Sequence, residues 1–156
     1  MAPGEFGLAF TDGAKFGRSE QLHFAFLGLW AFHKANGRFP ELRNEAEAAE
    51  VVRLAHEIND QHKKLNEDAN GDVVALALDE LDDEIIKKVA LHAAIDLQPV
   101  GCFFGGLVAQ EVVKFTSKFT PLNQWLHIDF VEVLPDEAPQ DTAPQNSRYD
   151  DLIMLY

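Results

Sequence analysis

One stretch restricts this chain more than any other: Phe103-Phe104-Gly105-Gly106-Leu107-Val108-Ala109-Gln110-Glu111-Val112-Val113-Lys114-Phe115. Phe104, Leu107, Val108, Val112 and Phe115 recur at helical spacing and form one wide apolar stripe. Gly105 and Gly106 are expected in the first turn of that helix, where a missing Cβ admits a close neighbour. Past Pro121 the period changes. Leu126, Ile128 and Phe130 alternate with Trp125, His127 and Asp129, which predicts a half-buried strand. Burying each large helix side chain is worth roughly 1.5–3 kcal/mol, against about 1–2 kcal/mol of backbone entropy per ordered residue. A lone helix gains too little, so this one needs a layer on each flank.

With 156 residues the chain is one domain or two small ones and long enough for a core. An apolar content of 47% argues against wholesale disorder. The formal charge of −13 opposes a nucleic-acid or anionic-membrane partner, because phosphate surfaces would repel it. A run of about 18 apolar residues, as a membrane helix requires, does not occur, and the N-terminus lacks the pattern of a signal peptide. A single cysteine, Cys102, excludes an internal disulfide. The expectation is a soluble, intracellular chain.

Residues 1–18 read as an N-terminal segment, loose or with a short strand end at Leu8-Ala9-Phe10. Ser19 is the expected N-cap of the first helix and Gly37 its C-terminal stop. Leu22, Phe24, Phe26, Leu27, Leu29, Trp30 and Phe32 lie around nearly the whole circumference, which predicts burial on more than one side. A membrane span fails there on length and on His23, His33 and Lys34. Asn44 and Glu47 form a capping-box pattern. The helix they open carries Ala48, Val51, Val52, Ala55 and Ile58 on one face and fades from Gln61 to Asn70. Val73 to Leu78 has no usable period: it is either a short strand or a lead-in to the next helix, and reads as helix or coil. Asp82 caps a third helix, with Ile86, Val89, Ala90 and Ala93 as its buried face and Pro99 as its end. Gly101 then opens the turn into the stretch described first. The predicted organisation is a helical bundle over 19–100, a terminal helix and strand or strands over 101–135, and a Pro-rich linker and domain entry over 136–156.

Several ordered motifs resemble ubiquitin-activating enzymes. They are Thr11-Asp12, Ala14-Lys15-Phe16, Arg18, Gln21-Leu22-His23 and Gly37-Arg38-Phe39-Pro40; then Leu81-Asp82, Glu84, Ile86, Lys88, Ala93-Ala94, Asp96-Leu97 and Pro99. Phe104-Gly105-Gly106, Ala109-Gln110-Glu111-Val112, Lys114, Lys118-Phe119, Pro121, Gln124-Trp125, Asp129 and Leu134-Pro135 complete the series. Gly13, Ser19 and Ile95 depart from the family pattern. The resemblance implies a mainly α piece: a four-helix-bundle insert with a small β element from an inactive, α/β adenylation-type domain. It implies a fragment of a parent that uses ATP and magnesium to adenylate ubiquitin, forms a cysteine thioester and passes ubiquitin to a conjugating enzyme. The implied partners are ubiquitin, conjugating enzymes and, by intramolecular packing, the active adenylation domain; the implied location is cytoplasm and nucleus. The fragment itself is expected to be a non-catalytic scaffold. The alternative is a stand-alone acidic helical adaptor. An unpaired strand edge near Trp125 to Phe130 also predicts dimers or a mobile C-terminal segment.

No catalytic, cofactor-binding or metal-ligating residue is assigned. Cys102 sits among apolar neighbours, which predicts a buried structural thiol in place of a nucleophile. His56-Glu57-Ile58-Asn59-Asp60 misses the second His of a zinc pair and reads as a solvated helix face, with a small metalloenzyme on His56 and Glu57 as the rival. Asn66 to Asp72 mimics the start of a calcium loop, but Ala77 stands where a bidentate Glu is needed, so an acidic loop is expected. Gly105-Gly106 lacks the Lys and Ser/Thr of a phosphate loop, so close packing is favoured over an anion cradle. Arg148-Tyr149-Asp150 resembles the entry to an active adenylation domain. In related adenylating enzymes a second arginine of that motif reaches ATP; here Asp151 and Leu152 follow, and the ATP role is not carried over.

Overall fold

The computed structural model describes residues 17–69, 73–95, 97–116, 118–122 and 125–128. Within them lie four helices, α1 (Arg18–Asn36), α2 (Glu45–Asp68), α3 (Asp83–Leu91) and α4 (Gln98–Thr116), and no strand. The mainly α expectation holds. Residues 125–128 carry no strand pairing, and the other positions of the expected β element, like Leu8 to Phe10 and Arg148 to Leu152, lie outside the described residues. The chain divides into two compact units. One holds the described residues up to Ala94 together with 125–128; the other holds those from Ile95 to Leu122.

In the first unit α1, α2 and α3 pack pairwise on one another. The core joins Phe24, Ala25, Leu29 and Phe32 of α1 to Ala48, Val51 and Ala55 of α2, and to Leu81, Ile86 and Ala90 of the third-helix region. Ile85 is buried with Leu22 as a smaller cluster beside it. The α1–α2 crossing is tight at Gly28, where an added Cβ would stand 2.8 Å from the Val51 carbonyl oxygen and 3.2 Å from the Ala55 Cβ.

The helix ends explain themselves locally, with two corrections. Ser19 is not the N-cap of α1. Gly17 holds that position at φ 83°, a left-handed conformation that glycine adopts without a Cβ clash, and Ser19 falls inside the first turn. Its hydroxyl donates to Glu20 Oε2 at 2.7 Å. Gly37, at φ 72°, closes α1 as expected, its N–H donating to the His33 carbonyl at 2.7 Å. Asn44 caps α2 by accepting from the Glu47 N–H at 3.2 Å. The reciprocal half of the box is absent among the described contacts: the Glu47 carboxylate accepts from the Glu41 N–H at 2.7 Å and from Arg38. Asp82 caps α3, its Oδ1 accepting from Glu84 N and Ile85 N. The second correction concerns Pro99. Helix α3 stops at Leu91, and Pro99 is the second residue of α4, where its missing N–H has no helical acceptor to lose.

Helix α2 does not fade at Gln61 but runs to Asp68. Its polar residues Asn59, His62 and Asn66 face the coil from Val74 to Leu78 and hold its backbone. Asn66 Oδ1 accepts from Val74 N (3.0 Å) and Ala75 N (2.9 Å), and its Nδ2 donates to Ala75 O at 2.9 Å. His62 Nδ1 lies 2.7 Å from Leu76 O. Asn59 takes both backbone groups of Leu78 at 2.9 Å each and is only 3% exposed. Lys63 and Gln21 continue the series, to Asp79 O, and to Glu80 O and Asp82 N respectively. Residues 74–82 thus lie in the coil that the missing periodicity suggested, with side-chain amides replacing a neighbouring strand.

The second unit contains α4. Gly105 and Gly106 lie in its middle and not in its first turn, and an added Cβ on either meets nothing within 4 Å among the described residues. Val108, Val112 and Phe115 are exposed, contrary to the buried stripe expected of them. The less exposed side carries Phe104, Leu107, Glu111 and Lys114. Glu111 bonds Lys114 Nζ at 2.5 Å and accepts from Leu122 N at 2.7 Å, folding the segment after the helix back against it. No described helix is long and apolar enough to cross a membrane.

Candidate interaction surface on the first helix

Because α1 is apolar nearly all round while only one side faces α2 and α3, the sequence leaves aromatic groups on the other side. His23, Phe26, Trp30 and His33 recur at i, i+3, i+7 and i+10, which puts them on one face. Phe26 is 45% and Trp30 56% exposed, so the expectation of burial on more than one side is corrected at these two positions. At the C-terminal end of the stripe, Phe39 folds back so that its ring lies 5.7 Å from Trp30 and 4.7 Å from His33. At the other end, residues 125–128 lie over His23. Trp125 meets the His23 ring edge-on at 5.6 Å, and His127 meets it at 5.2 Å and Phe26 at 6.3 Å.

His23 is the chemically unusual member. It is 8% exposed, and its Nδ1 stands 3.3 Å from Nε2 of His127, one ring donating and the other accepting. Burial, helped by the neighbouring His127 and His62, holds its pKa at about 4, below the usual 6.5. Burial lowers the His127 pKa as well, with Glu20 pulling the other way. At neutral pH both rings are therefore uncharged, and the surface is aromatic and neutral on a strongly acidic chain. Nothing local in the sequence joins these two histidines, which lie 104 positions apart.

The site-like motifs go elsewhere. Cys102 is exposed, against the buried thiol expected from its sequence neighbours. At 100° per residue it lies on the side of α4 opposite Phe104, Leu107, Glu111 and Lys114, so neighbours in sequence are not neighbours in space. His56 Nε2 is 2.6 Å from Asp83 Oδ1, linking α2 to α3, and Glu57 pairs with Arg53. Asn66 holds the coil backbone, while Asn70 to Asp72 lie outside the described residues. Among the described residues no group of three His, Cys, Asp or Glu side chains could hold a metal ion. A cleft lined by Gln21, Glu80, Leu81, Asp82, Asp83 and Glu84 is acidic, but Asp82 is committed to its helix cap and Asp83 to His56.

A family model described as the ubiquitin-activating enzyme E1 four-helix bundle matches residues 2–59, which include α1 and the first part of α2. The chain is 40% identical over 151 residues to the ubiquitin-like modifier-activating enzyme 1 of Oryctolagus cuniculus, and equally so to that of Homo sapiens. Each match covers 94% of this chain and 13% of the relative. Ubiquitin-activating enzyme E1 1 of Arabidopsis thaliana is 38% identical over 157 residues, which is 99% of this chain and 13% of that protein. The chain thus spans 13% of the length of these relatives. It belongs to the ubiquitin-activating enzyme family and matches one segment of its members.

Proposed function

We propose that this chain serves as a non-catalytic, architectural segment of a ubiquitin-activating enzyme. In this reading the whole protein uses ATP and magnesium to adenylate ubiquitin, holds it as a cysteine thioester and passes it to a conjugating enzyme, in cytoplasm and nucleus. The segment contributes a helical bundle and the last part of an inactive adenylation domain, packed on the active one. The observation that carries this is the 40% identity over 94% of the chain. The structure adds a second support: the polar side chains that look site-like are engaged in holding the fold, with Asn59, His62 and Asn66 on the coil, Asp82 on the α3 N-terminus and His56 on Asp83.

The test is ATP–pyrophosphate exchange. The chain by itself, with ubiquitin, ATP and magnesium, is expected to give none, and measurable exchange would overturn the scaffold reading. The strand expected at 125–130 would, in this view, form on sheet neighbours that the rest of the parent supplies. Self-association of the isolated chain through that edge, or a mobile C-terminal segment, is the corollary; a clean monomer in light scattering with that segment protected from proteolysis would count against it. The exposed stripe of Phe26, Trp30 and Phe39 favours a second reading, a stand-alone acidic helical adaptor. A reading frame that continues past Tyr156 into a glycine-rich nucleotide loop would remove it.

A further inference from the structure

Helix α4 leaves its most regular apolar row uncovered. Gly101, Gly105, Val108, Val112 and Phe115 follow one another at steps of four, three, four and three residues, the spacing of a coiled-coil seam. At 100° per residue all five fall within an arc of about 80°. Val108 is 61%, Val112 57% and Phe115 77% exposed, and a Cβ added to Gly101 or Gly105 meets nothing within 4 Å among the described residues. We propose that this row is a homodimer seam, in which α4 pairs antiparallel with α4 of a second copy and Phe115 of each chain fills the notch at Gly105 of the other.

The order of residue sizes names the partner, because the row complements its own reverse. A two-fold axis level with Gln110 sets Gly105 opposite Phe115 of the second copy and Val108 opposite Val112, then repeats both layers in the other direction. Each layer joins a large side chain to a glycine or two valines to each other, which keeps the helix separation even. A parallel pair fails on the same residues. It would stack Phe115 on Phe115 and hold the two Gly105 positions apart across a gap. No charged side chain lies in the row. Glu111, at its edge near the axis, would approach Glu111 of the second copy, but each is already bonded to Lys114 Nζ of its own helix at 2.5 Å and to Leu122 N at 2.7 Å. The formal charge of −13 on each copy opposes approach at long range, so added salt should tighten the dimer. This seam goes beyond the scaffold reading and uses a different surface from the strand edge near residues 125–130.

The experiment is sedimentation equilibrium of the full chain across a dilution series, with far-UV circular dichroism as the check on helicity. The expected mass rises from one chain toward two. Gly105→Phe fills the notch and Phe115→Ala removes the side chain that enters it. Both positions are open in the single chain, so each variant should keep its helicity yet weaken the dimer roughly tenfold or more, since each contact occurs twice. The double variant exchanges the large and small positions and should recover most of that loss. Cross-linking with copper phenanthroline reads the orientation. In a Cys102→Ser background, Ala109→Cys sets two thiols beside the axis and should cross-link. The native Cys102 thiols would lie about 24 Å apart along the helix at 1.5 Å per residue and should not. Ile128→Pro, which would spoil pairing at the strand edge, should leave the dimer intact. Loss of the dimer in that variant, with both α4 variants unaffected, would assign self-association to the edge and overturn the seam. A monomer at every dilution would overturn it as well and leave the face to another part of the parent. Cross-linking through Cys102 in place of position 109 would exclude the antiparallel pairing.

Discussion

Gly28 on α1 lies against the backbone of Val51 on α2, so closely that a Cβ added to Gly28 would stand 2.8 Å from the Val51 carbonyl oxygen. That oxygen belongs to the backbone, so no side chain can swing aside to make room. Gly28→Ala therefore has to move α1 away from α2, and overpacking of this kind costs about 1–3 kcal/mol. The gain in helix propensity, about 1 kcal/mol, offsets only part of it. The expected outcome is a net loss of stability in urea denaturation, whereas Gly101→Ala, at a helical glycine with open space, should be neutral or stabilising.

Asn59 is the buried amide on which the coil after α2 depends, with two bonds of 2.9 Å to the backbone of Leu78. Asn59→Ala leaves a buried donor and acceptor without their partner, a penalty of about 1–3 kcal/mol. Asn59→Asp keeps the acceptor for Leu78 N–H but sets a carboxylate against Leu78 O. Hydrogen exchange at the Leu78 amide should accelerate in the alanine variant well beyond any change at Val51, and equal protection in both proteins would contradict this account.

How far the sequence disclosed this depends on the range of the interaction. Asn44 and Asp82 could be read as caps because a cap is made within three residues. The all-round apolar pattern of α1 could not be resolved into faces, because it has no polar side to point outward; the structure alone puts Phe24 inside and Trp30 outside. Pro99 was legible as a boundary but not as an end or a beginning, since both accommodate proline. Asn59, His62 and Asn66 did leave a signal. They continue the i+3/i+4 row of Ala48, Val51 and Ala55, so polar residues with the spacing of a buried face pointed to a partner with backbone groups to satisfy. For His23 and His127 no signal existed, because their meeting depends on how distant segments pack.

The two aromatic residues Phe24 and Trp30 give a direct test of which side of α1 faces the core. Phe24 is fully buried and Trp30 is 56% exposed. Phe24→Ala should cost about 3–5 kcal/mol. Trp30→Ser removes a ring that is more than half exposed, with ring contacts to His33 and Phe39, and should cost less than half as much as Phe24→Ala. Thermal unfolding of the two variants checks the contrast. Similar losses in both would mean that Trp30 is covered in solution.

Glu47 gives the first unit an acid limb of its own. The Arg38 guanidinium bonds it at 3.0 Å and 2.5 Å, the Glu41 N–H at 2.7 Å, and the two together hold its carboxyl below the usual glutamate range. A folded-state pKa lowered in this way means that the unfolded chain binds the proton more readily. The contribution is therefore present above the unfolded value of 4.5 and is lost as pH falls through the lower folded one. The pair is exposed, and salt should weaken it. Glu47→Gln is expected to flatten the fall of urea midpoint with pH below that value, while leaving the Asn44 cap, which bonds the Glu47 backbone N–H, in place. A variant whose acid limb matches wild type would show that the carboxylate carries no part of it.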